Sequence, residues 1–455
     1  MSNKKNDQTQ ETFMYQILSS MDSFVWGPPL LVLLVGTGIY LSARLGLLQV
    51  FKLPKALKLI FTAESKGQGD ISSFAALATA LAATIGTGNI VGVATAIKLG
   101  GPGALFWMWV AAFFGMATKY SEGVLAIKYR TKDTNGEVAG GPMYYIVNGL
   151  GKRWKPLAII FSIFGVMVAL LGSGTFTQVN SITESLNNAF GLPATIVSII
   201  LAVIVAIIIF GGIQSISKVA EKIVPFMAII YILAALIVLI FNAGSILPSI
   251  ALILKSAFTG QAATGGFAGA TMMIAIQSGI ARGVFSNESG LGSAPIAAAA
   301  AKTEEPVEQG LVSMTGTFID TIIVCTLTGL AIIVTGGWSS NLNGATLTQH
   351  AFATVFGNFG VFALTISLVL FAFTTILGWG YYGERCFEFL FGTRAIPVYR
   401  LIFVLMVALG GFLKLELIWV LADIVNGLMA IPNLVALLGL SPIIIKETKR
   451  YFSQL

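Results

Sequence analysis

The chain has 455 residues, of which 56% are hydrophobic and only 10% charged, with a formal net charge of +7. A soluble domain of this length carries about 25% charged residues, so the composition excludes an ordinary soluble protein and predicts one embedded in the lipid bilayer. The basic residues lie in short loops between apolar segments, a distribution typical of membrane topology that argues against a nucleic-acid partner.

Apolar segments near membrane-spanning length follow one another along the whole chain. Because roughly 20 apolar residues cross a bilayer, they predict an all-α polytopic membrane protein with about eleven transmembrane helices. The segments cover residues 26–43, 71–99, 102–127, 157–187, 193–213, 221–242, 265–301, 307–336, 359–382, 398–413 and 416–445.

The positions of Lys and Arg predict the orientation. If the loop after the first segment is cytoplasmic and the loops then alternate, most of the 27 basic residues fall on the cytoplasmic side. Basic residues are enriched in cytoplasmic loops. We therefore expect a multi-pass protein of the cell (inner) membrane with its N-terminus outside and its C-terminus in the cytoplasm.

The segments divide the chain into three parts. Residues 1–70 hold an external tail, an extra first helix and a basic cytoplasmic loop. Residues 71–262 form a first group of five helices, and residues 263–455 form a second group with the cytoplasmic C-terminus. Because the two groups begin on opposite sides of the membrane, they run through it in opposite directions.

Each five-helix group opens with a long apolar segment that glycines interrupt, at residues 85–89 in the first group and at residues 277–283 in the second. Unwound backbone is stable in hydrocarbon only where other groups form hydrogen bonds with its N–H and C=O groups. In transporters, broken helices at matching places of inverted halves form the central site, where free N–H groups meet a carboxylate and free carbonyls meet a cation. The alternative is close helix packing, since Gly88 and Gly92 form a small-xxx-small pair.

Three stretches resemble the alanine or glycine:cation symporter family, the sodium:alanine symporters. They are residues 86–94 (GTGNIVGVA), 100–104 (GGPGA) and 283–297 (GVFSNESGLGSAPIA). The resemblance extends from about residue 24 to the C-terminus. It implies the leucine-transporter fold, with two inverted five-helix repeats behind one extra helix. It also implies sodium-driven uptake of alanine and glycine, with Na⁺ as the coupling ion and no tightly bound cofactor.

The resemblance places the binding site at the first break. The backbone amides near Thr87 and Gly88 would receive the substrate carboxylate. The carbonyls of Ala82 and Ile85, just before the break, would face sodium.

The remaining sodium ligands would come from the helix predicted at residues 359–382. Positions 371, 374 and 375 share one helical face, so the Phe371 carbonyl and the Thr374 and Thr375 hydroxyls would supply three hard oxygens. The alternative for the threonines is a bond back to the carbonyl four residues earlier.

Polar side chains inside apolar segments are candidates for binding the substrate's amino group or for joining helices. They are Thr79, Gln178 and Gln277. Met273 and Ile276, on the approach to the second break, are candidates for the side-chain pocket. The full predicted substrate-binding set is Thr79, Thr87, Gly88, Gln178, Met273, Ile276, Gln277 and Gly279.

Ionisable residues within membrane segments indicate function, and here they are Arg282, Glu288, Asp320 and Asp423. Arg282 with an acidic partner could gate the pathway, but the sequence does not identify the partner. Asp70 precedes the second apolar segment and is predicted to be a helix N-cap. A role in gating is the secondary hypothesis.

Enzyme functions find little support. His350 is the only histidine, so no histidine triad or metal cluster is expected, and no Gly-Lys-Ser/Thr phosphate-binding loop occurs. Cys325 and Cys386 are predicted to be buried thiols. The alternatives to a sodium symporter are a proton-coupled amino-acid transporter, a passive channel for small solutes and an intramembrane enzyme.

Overall fold

The computed structural model describes residues 2–63, 67–259, 272–412 and 416–454, and these residues are mostly helical. The α-helices are α1 Ser2–Val25, α2 Pro28–Arg44, α3 Leu48–Phe51, α4 Leu53–Thr62, α5 Ser73–Thr84, α6 Val93–Gly100, α7 Gly103–Lys128, α8 Pro142–Tyr145, α9 Lys155–Leu171, α10 Phe176–Phe190, α11 Ala194–Ile209, α12 Gly212–Phe241, α13 Ala243–Thr259, α14 Met272–Asn287, α15 Ala294–Ala299, α16 Pro306–Thr317, α17 Thr326–Val334, α18 Gly344–Phe356, α19 Asn358–Phe391, α20 Ile396–Leu409, α21 Glu416–Gly439 and α22 Ser441–Ser453.

Short irregular elements complete the chain. Three segments are π-helical: Gly88–Gly92, Ile146–Leu150 and Phe318–Cys325. An antiparallel hairpin pairs strand β1 (Thr131–Lys132) with strand β2 (Val138–Ala139).

Within the described residues, six helical stretches are long and apolar enough to cross a membrane. A seventh forms if α5 and the helical stretch Gly88–Gly100, bent by 50°, count as one span. The six are Met14–Arg44, Lys152–Phe190, Gly212–Phe241, Pro306–Val334, Asn358–Phe391 and Val420–Gly439. The protein is therefore an all-α, multi-pass membrane protein, as predicted.

The predicted apolar segments all coincide with helices or helix pairs, although the start of the segment at 265–301 lies outside the described residues. The boundary between the two helix groups, at residues 262 and 263, also lies outside them. The total of about eleven spans, the three-part division and the inverted repeats stay predictions.

The two broken helices lie among the long helices of the molecule. α7 packs against α2, α14, α15 and α16, while α19 packs against α5, α9, α10 and α12. α15 contacts α5 directly. The ends of both broken helices thus meet between α7 and α19.

The first break lies where the sequence predicts it. α5 ends at Thr84, the helix is interrupted at Ile85 and Gly86, and the π-helical segment begins at Gly88. A Cβ at Gly86 would lie 2.4 Å from the Thr375 hydroxyl, and one at Gly88 would lie 3.0 Å from Ser286 Cα. The glycines here allow close approach of the chain to α19 and to the end of α14.

The predicted second break at residues 277–283 was wrong, because α14 runs without interruption from Met272 to Asn287. Gly279 is a packing glycine: a Cβ there would lie 2.3 Å from the Ala104 carbonyl oxygen on α7. The chain instead leaves the helix at Glu288, which has a φ of 56°, and re-enters one at Ala294. Gly290 and Gly292, with φ of 89° and 83°, provide the left-handed backbone that this turn requires.

Orientation can be tested with two exposed polar positions in different loops, Asn135 after α7 and Ser339 before α18. If the loop charges set the orientation, a membrane-impermeant maleimide added to intact cells labels the Ser339→Cys variant and leaves the Asn135→Cys variant unlabelled. Both variants should be labelled after the membrane is permeabilised. The reverse pattern on intact cells would show that the N-terminus is cytoplasmic.

Candidate functional site

A small cavity of about 10 Å³ lies where the two breaks, α10 and α19 meet. This volume is about that of one water molecule. Its lining comes from Ala83, Thr84, Gly86, Thr87, Gly88, Ser173, Gln178, Phe285, Glu288, Thr375 and Trp379. Thr87, Gly88 and Gln178, all predicted to bind substrate, are therefore brought together at this cavity.

Three buried polar atoms around this cavity have no hydrogen-bond partner: Thr87 Oγ1, Ser173 Oγ and Gln178 Oε1. Their residues are 1%, 5% and 2% exposed. The Gln178 amide is fixed by its Nε2, which donates to the Ser173 carbonyl at 2.9 Å. Because buried polar groups in native proteins nearly always have a partner, these three atoms are free to bond to a polar group in the cavity, either a water molecule or a ligand.

The predicted sodium ligands converge beside the first break. Thr375 Oγ1 lies 3.2 Å from the Ala82 carbonyl oxygen and 3.0 Å from that of Phe371. Two backbone carbonyls and one hydroxyl, from α5 and α19, thus meet at one point. Ile85 is fully buried at the end of α5.

Thr374 lies beside this group and has two contacts of its own. Its hydroxyl lies 3.0 Å from the Phe371 carbonyl oxygen and 3.7 Å from Met227 Sδ on α12. Thr375 therefore also makes the bond to the fourth residue back that the alternative interpretation describes, while Thr374 bonds to the third residue back.

A buried carboxylate links the first break to the end of α14. Asn89 Oδ1 accepts a hydrogen bond from the Gly86 N–H at 2.9 Å, and its Nδ2 donates to Asp320 Oδ1 at 2.7 Å. Ser286 Oγ donates to Asp320 Oδ2 at 2.9 Å. Asp320 lies in the π-helical segment Phe318–Cys325, and such segments frequently occur at functional sites. Asp320 was a predicted functional residue, whereas its partners Asn89 and Ser286 lie in the family motifs but were not assigned a role.

The second break is held by side chains from α7 and α21. Glu122 Oε1 accepts from the Gly292 N–H at 3.1 Å and from Asn433 Nδ2 at 2.6 Å. Asn433 Nδ2 also donates to the Gly290 carbonyl at 2.9 Å. Sequence reasoning missed Glu122 and Asn433, although Glu122 is an ionisable residue in an apolar segment and so carried the signal.

Two further contacts fix the start of this break. Lys119 Nζ donates to the Asn287 carbonyl at 2.8 Å. The Glu288 carboxylate accepts from Trp379 Nε1 at 2.9 Å and from Ser293 Oγ at 2.6 Å. Glu288, which the sequence flagged, is thus both part of the cavity wall and a link to α19.

A second, larger cavity of about 340 Å³ lies on the other side of Thr87 and Phe285, which line both cavities. Arg282 also lines the larger cavity and forms a two-bond ion pair with Asp423, at 2.8 and 3.2 Å. Its guanidinium lies 5.6 Å from the Phe285 ring. The structure thus identifies Asp423 as the acidic partner that the sequence left open.

Five predicted substrate-binding residues do not line the small cavity. Four of these predictions depended on the misplaced second break. The Thr79 hydroxyl donates to the Ala75 carbonyl within α5. Met273 is 52% exposed, and Ile276 packs against the apolar core. Gln277 lines a separate cavity beside Asp423, and Gly279 packs against α7.

Asp70 is not the N-cap of α5. That position is Ser72, whose hydroxyl accepts from the Ala75 N–H at 3.0 Å. Asp70 Oδ2 instead accepts from the Val138 N–H of the hairpin at 2.9 Å. Burial raises the pKa of Asp70, and the bond from Val138 opposes that shift.

Among the described residues, no three His, Cys, Asp or Glu side chains are grouped closely enough to hold a metal ion. Cys325 and Cys386 are free and buried, which confirms the prediction for both.

Residues 11–455 match the sequence profile of the Sodium:alanine symporter family. The chain is 59% identical over 441 residues to an uncharacterized transporter of Haemophilus influenzae and 54% identical over 443 residues to the sodium/alanine symporter AgcS of Methanococcus maripaludis, with 96% of each chain covered in both cases.

The fold matches a crystal structure of MhsT in complex with L-phenylalanine, with a TM-score of 0.59 and 13% identity over 84% of this chain and 98% of MhsT. The protein therefore has the leucine-transporter fold.

The hydrogen bonds of Asn433 at the second break can be tested with the Asn433→Ala variant. This change removes the buried donor to the Gly290 carbonyl and one of the two donors to Glu122, so we expect the free energy of unfolding to fall by about 1–3 kcal/mol. Thermal unfolding in detergent measures the effect. Asn148→Ala, at an exposed position, is the matched control. Equal melting temperatures for the two variants would contradict a structural role for Asn433.

Proposed function

The chain belongs to the sodium:alanine symporter family, and we propose that it takes up small neutral amino acids, alanine and glycine, by sodium-coupled alternating access. Its place would be the cell (inner) membrane, with the N-terminus outside. The observation that carries the proposal is the set of unpartnered polar atoms of Thr87, Ser173 and Gln178 at one cavity beside a helix break.

Sodium would bind among the Ala82 and Phe371 carbonyls and the Thr375 hydroxyl, with Ile85 and Thr374 completing its ligands. Carbonyls of unwound helices coordinate sodium in transporters of this architecture. The ligands belong to α5 and α19, so a bound ion would join the broken helix to its neighbour. The ion would thereby fix the shape of the break before the substrate binds.

The substrate carboxylate would accept from the backbone N–H groups near Thr87 and Gly88, where the helix dipole also favours negative charge. Its ammonium group would donate to Gln178 Oε1 and to the hydroxyls of Thr87 and Ser173. Hydrogen-bond acceptors without a partner suit an ammonium, which has only donors.

The cavity also supports a preference for small side chains. Phe285 and Trp379 line it, and both are rigid and bulky. A larger substrate would have to displace one of these rings or lose contact with the polar groups. Because the cavity has room for about one water molecule, it would have to widen for any amino acid. The smaller widening that alanine or glycine needs would favour them by about 1–3 kcal/mol per methylene.

Phe285 and the Arg282–Asp423 pair would form the gate between the site and the larger cavity. Phe285 separates the two cavities, and Arg282 lies beside its ring. Opening would require the ion pair to separate or to shift with α14. A carboxylate bound near Arg282 on entry would favour that shift.

Alanine uptake into proteoliposomes of the purified protein tests the coupling. With an inward sodium gradient we expect alanine to accumulate above its external concentration, and with potassium in place of sodium we expect no accumulation. Accumulation driven by a proton gradient alone would establish the proton-coupled alternative. Flux that only equilibrates alanine would establish a passive channel.

Thr375→Val tests the sodium site, since it keeps the shape of the side chain and removes the hydroxyl. We expect the sodium concentration for half-maximal uptake to rise about tenfold or more, because a polar contact to a charged group is lost. Thr335→Val is the matched control, because the Thr335 hydroxyl only bonds to Ala331 and Ile332 within its own helical stretch. An unchanged sodium dependence for Thr375→Val would contradict the assignment.

A further inference from the structure

Arg130, in the loop after α7, donates to four backbone carbonyls at once. Its Nη1 lies 2.7 Å from the Ala299 oxygen and 2.6 Å from the Ala301 oxygen. Its Nη2 lies 2.6 Å from the oxygens of both Gln68 and Thr303. A planar guanidinium can reach four acceptors in this way, whereas the single ammonium of Lys cannot.

The four carbonyls come from two different elements. Gln68 precedes α5, which leads to the first break, while Ala299, Ala301 and Thr303 follow from the end of α15, the helix after the second break. Helix C-termini have carbonyls without an intrahelical partner and favour a positive charge. Arg130 satisfies these carbonyls and ties them to the start of α5.

A backbone contact runs alongside the guanidinium. The N–H groups of Asp70 and Ile71 donate to the Ala300 carbonyl, and the Lys302 N–H donates to the Ile71 carbonyl at 2.7 Å. The approach is so close that a Cβ at Gly69, with a φ of 156°, would lie 2.5 Å from the Ala301 backbone. The ends of the two broken helices are therefore in direct contact.

The hairpin next to Arg130 is anchored on both sides. Val138 donates to the Asp70 carboxylate, and Asp133 forms an ion pair with Arg385 of α19 at 3.1 Å. Glu137 forms a second ion pair with Arg385. The hairpin next to Arg130 is therefore bound to α19, and Arg130 itself directly follows α7. The breaks lie between these two long helices.

These contacts adjoin Ala298, which lines a narrow cavity that meets the small cavity at Thr84. Thr84 lines both the small cavity and a third cavity, also of about 10 Å³, between α5, α15 and α16. On the opposite side of the site the space is about 340 Å³. The pathway is therefore wide on one side of the breaks and closed on the side where Arg130 lies, which the loop charges predict to be cytoplasmic.

We propose that Arg130 is the positioning residue that holds the pathway closed on this side, by bonding the start of α5 to the end of α15. The inference rests on the proposed alternating-access function. Passage to the opposite state requires α5 and α15 to separate, and separation breaks the four bonds of one guanidinium together. Release of this side chain therefore weakens the connection, which then depends on the backbone bonds of Asp70, Ile71 and Lys302.

Thiol accessibility tests the proposal. Ala298, which lines the third cavity and is 3% exposed, is replaced by Cys to report opening. Permeabilised membranes without sodium or amino acid are treated with N-ethylmaleimide. In the Ala298→Cys background, Arg130→Gln should raise the labelling rate about tenfold or more, the factor expected from losing one charge-assisted hydrogen bond. Arg130→Lys should give a smaller rise.

Two further variants sharpen the result. Gly69→Ala leaves Arg130 intact but forces the two elements apart, so it should also raise the labelling rate. Arg153→Gln removes an exposed arginine from the next segment of the chain and should leave the labelling rate unchanged. Thermal unfolding confirms that each variant is folded. If Arg130→Gln does not fold, the labelling rates of Arg130→Lys and Gly69→Ala test the proposal in its place.

An unchanged labelling rate in folded Arg130→Gln, or an equal rise in Arg153→Gln, would overturn the proposal. Because labelling needs no substrate, it is independent of uptake. A parent protein that does not accumulate alanine would refute the proposed function, while labelling would still show whether Arg130 closes this side.

Discussion

Backbone groups that leave a helix inside a membrane must find other partners, and this constraint shapes the whole molecule. In hydrocarbon an unsatisfied N–H or C=O costs several kcal/mol. At the second break, Glu122 and Asn433 supply those partners, and at the first break Asn89 supplies one. Three polar side-chain atoms beside the first break have none. In our account these three atoms, which line one cavity, mark where a ligand would bind.

Contacts of this kind also connect the sodium site, the substrate site and the closed side of the pathway. Asp320 bonds to Asn89 at the first break and to Ser286 at the end of α14, so the two breaks share one buried carboxylate. Thr375 joins α19 to the end of α5, and Arg130 joins the start of α5 to the end of α15. In our account, sodium, substrate and the closed side of the pathway therefore act on the same two broken helices.

Much of this arrangement could be predicted from the sequence, because hydrophobic length and glycine clusters are local signals. They identified the helices and the first break, whereas the family resemblance placed that break beside α19. The second break was misplaced because Gly279 and Gly290 look alike in a sequence, although one makes room for α7 and the other adopts a left-handed backbone. The pairing of Arg282 with Asp423 and of Glu122 with Asn433 could not be predicted, because each pair joins residues far apart in the chain.

The central claim is that an amino acid and a sodium ion complete one shared site at the breaks. Titration calorimetry of L-alanine binding to the purified protein, over a series of sodium concentrations, tests it most directly. The account predicts that sodium tightens alanine binding and that alanine tightens sodium binding by the same factor, as linkage requires. An alanine affinity that does not change with sodium concentration would contradict it.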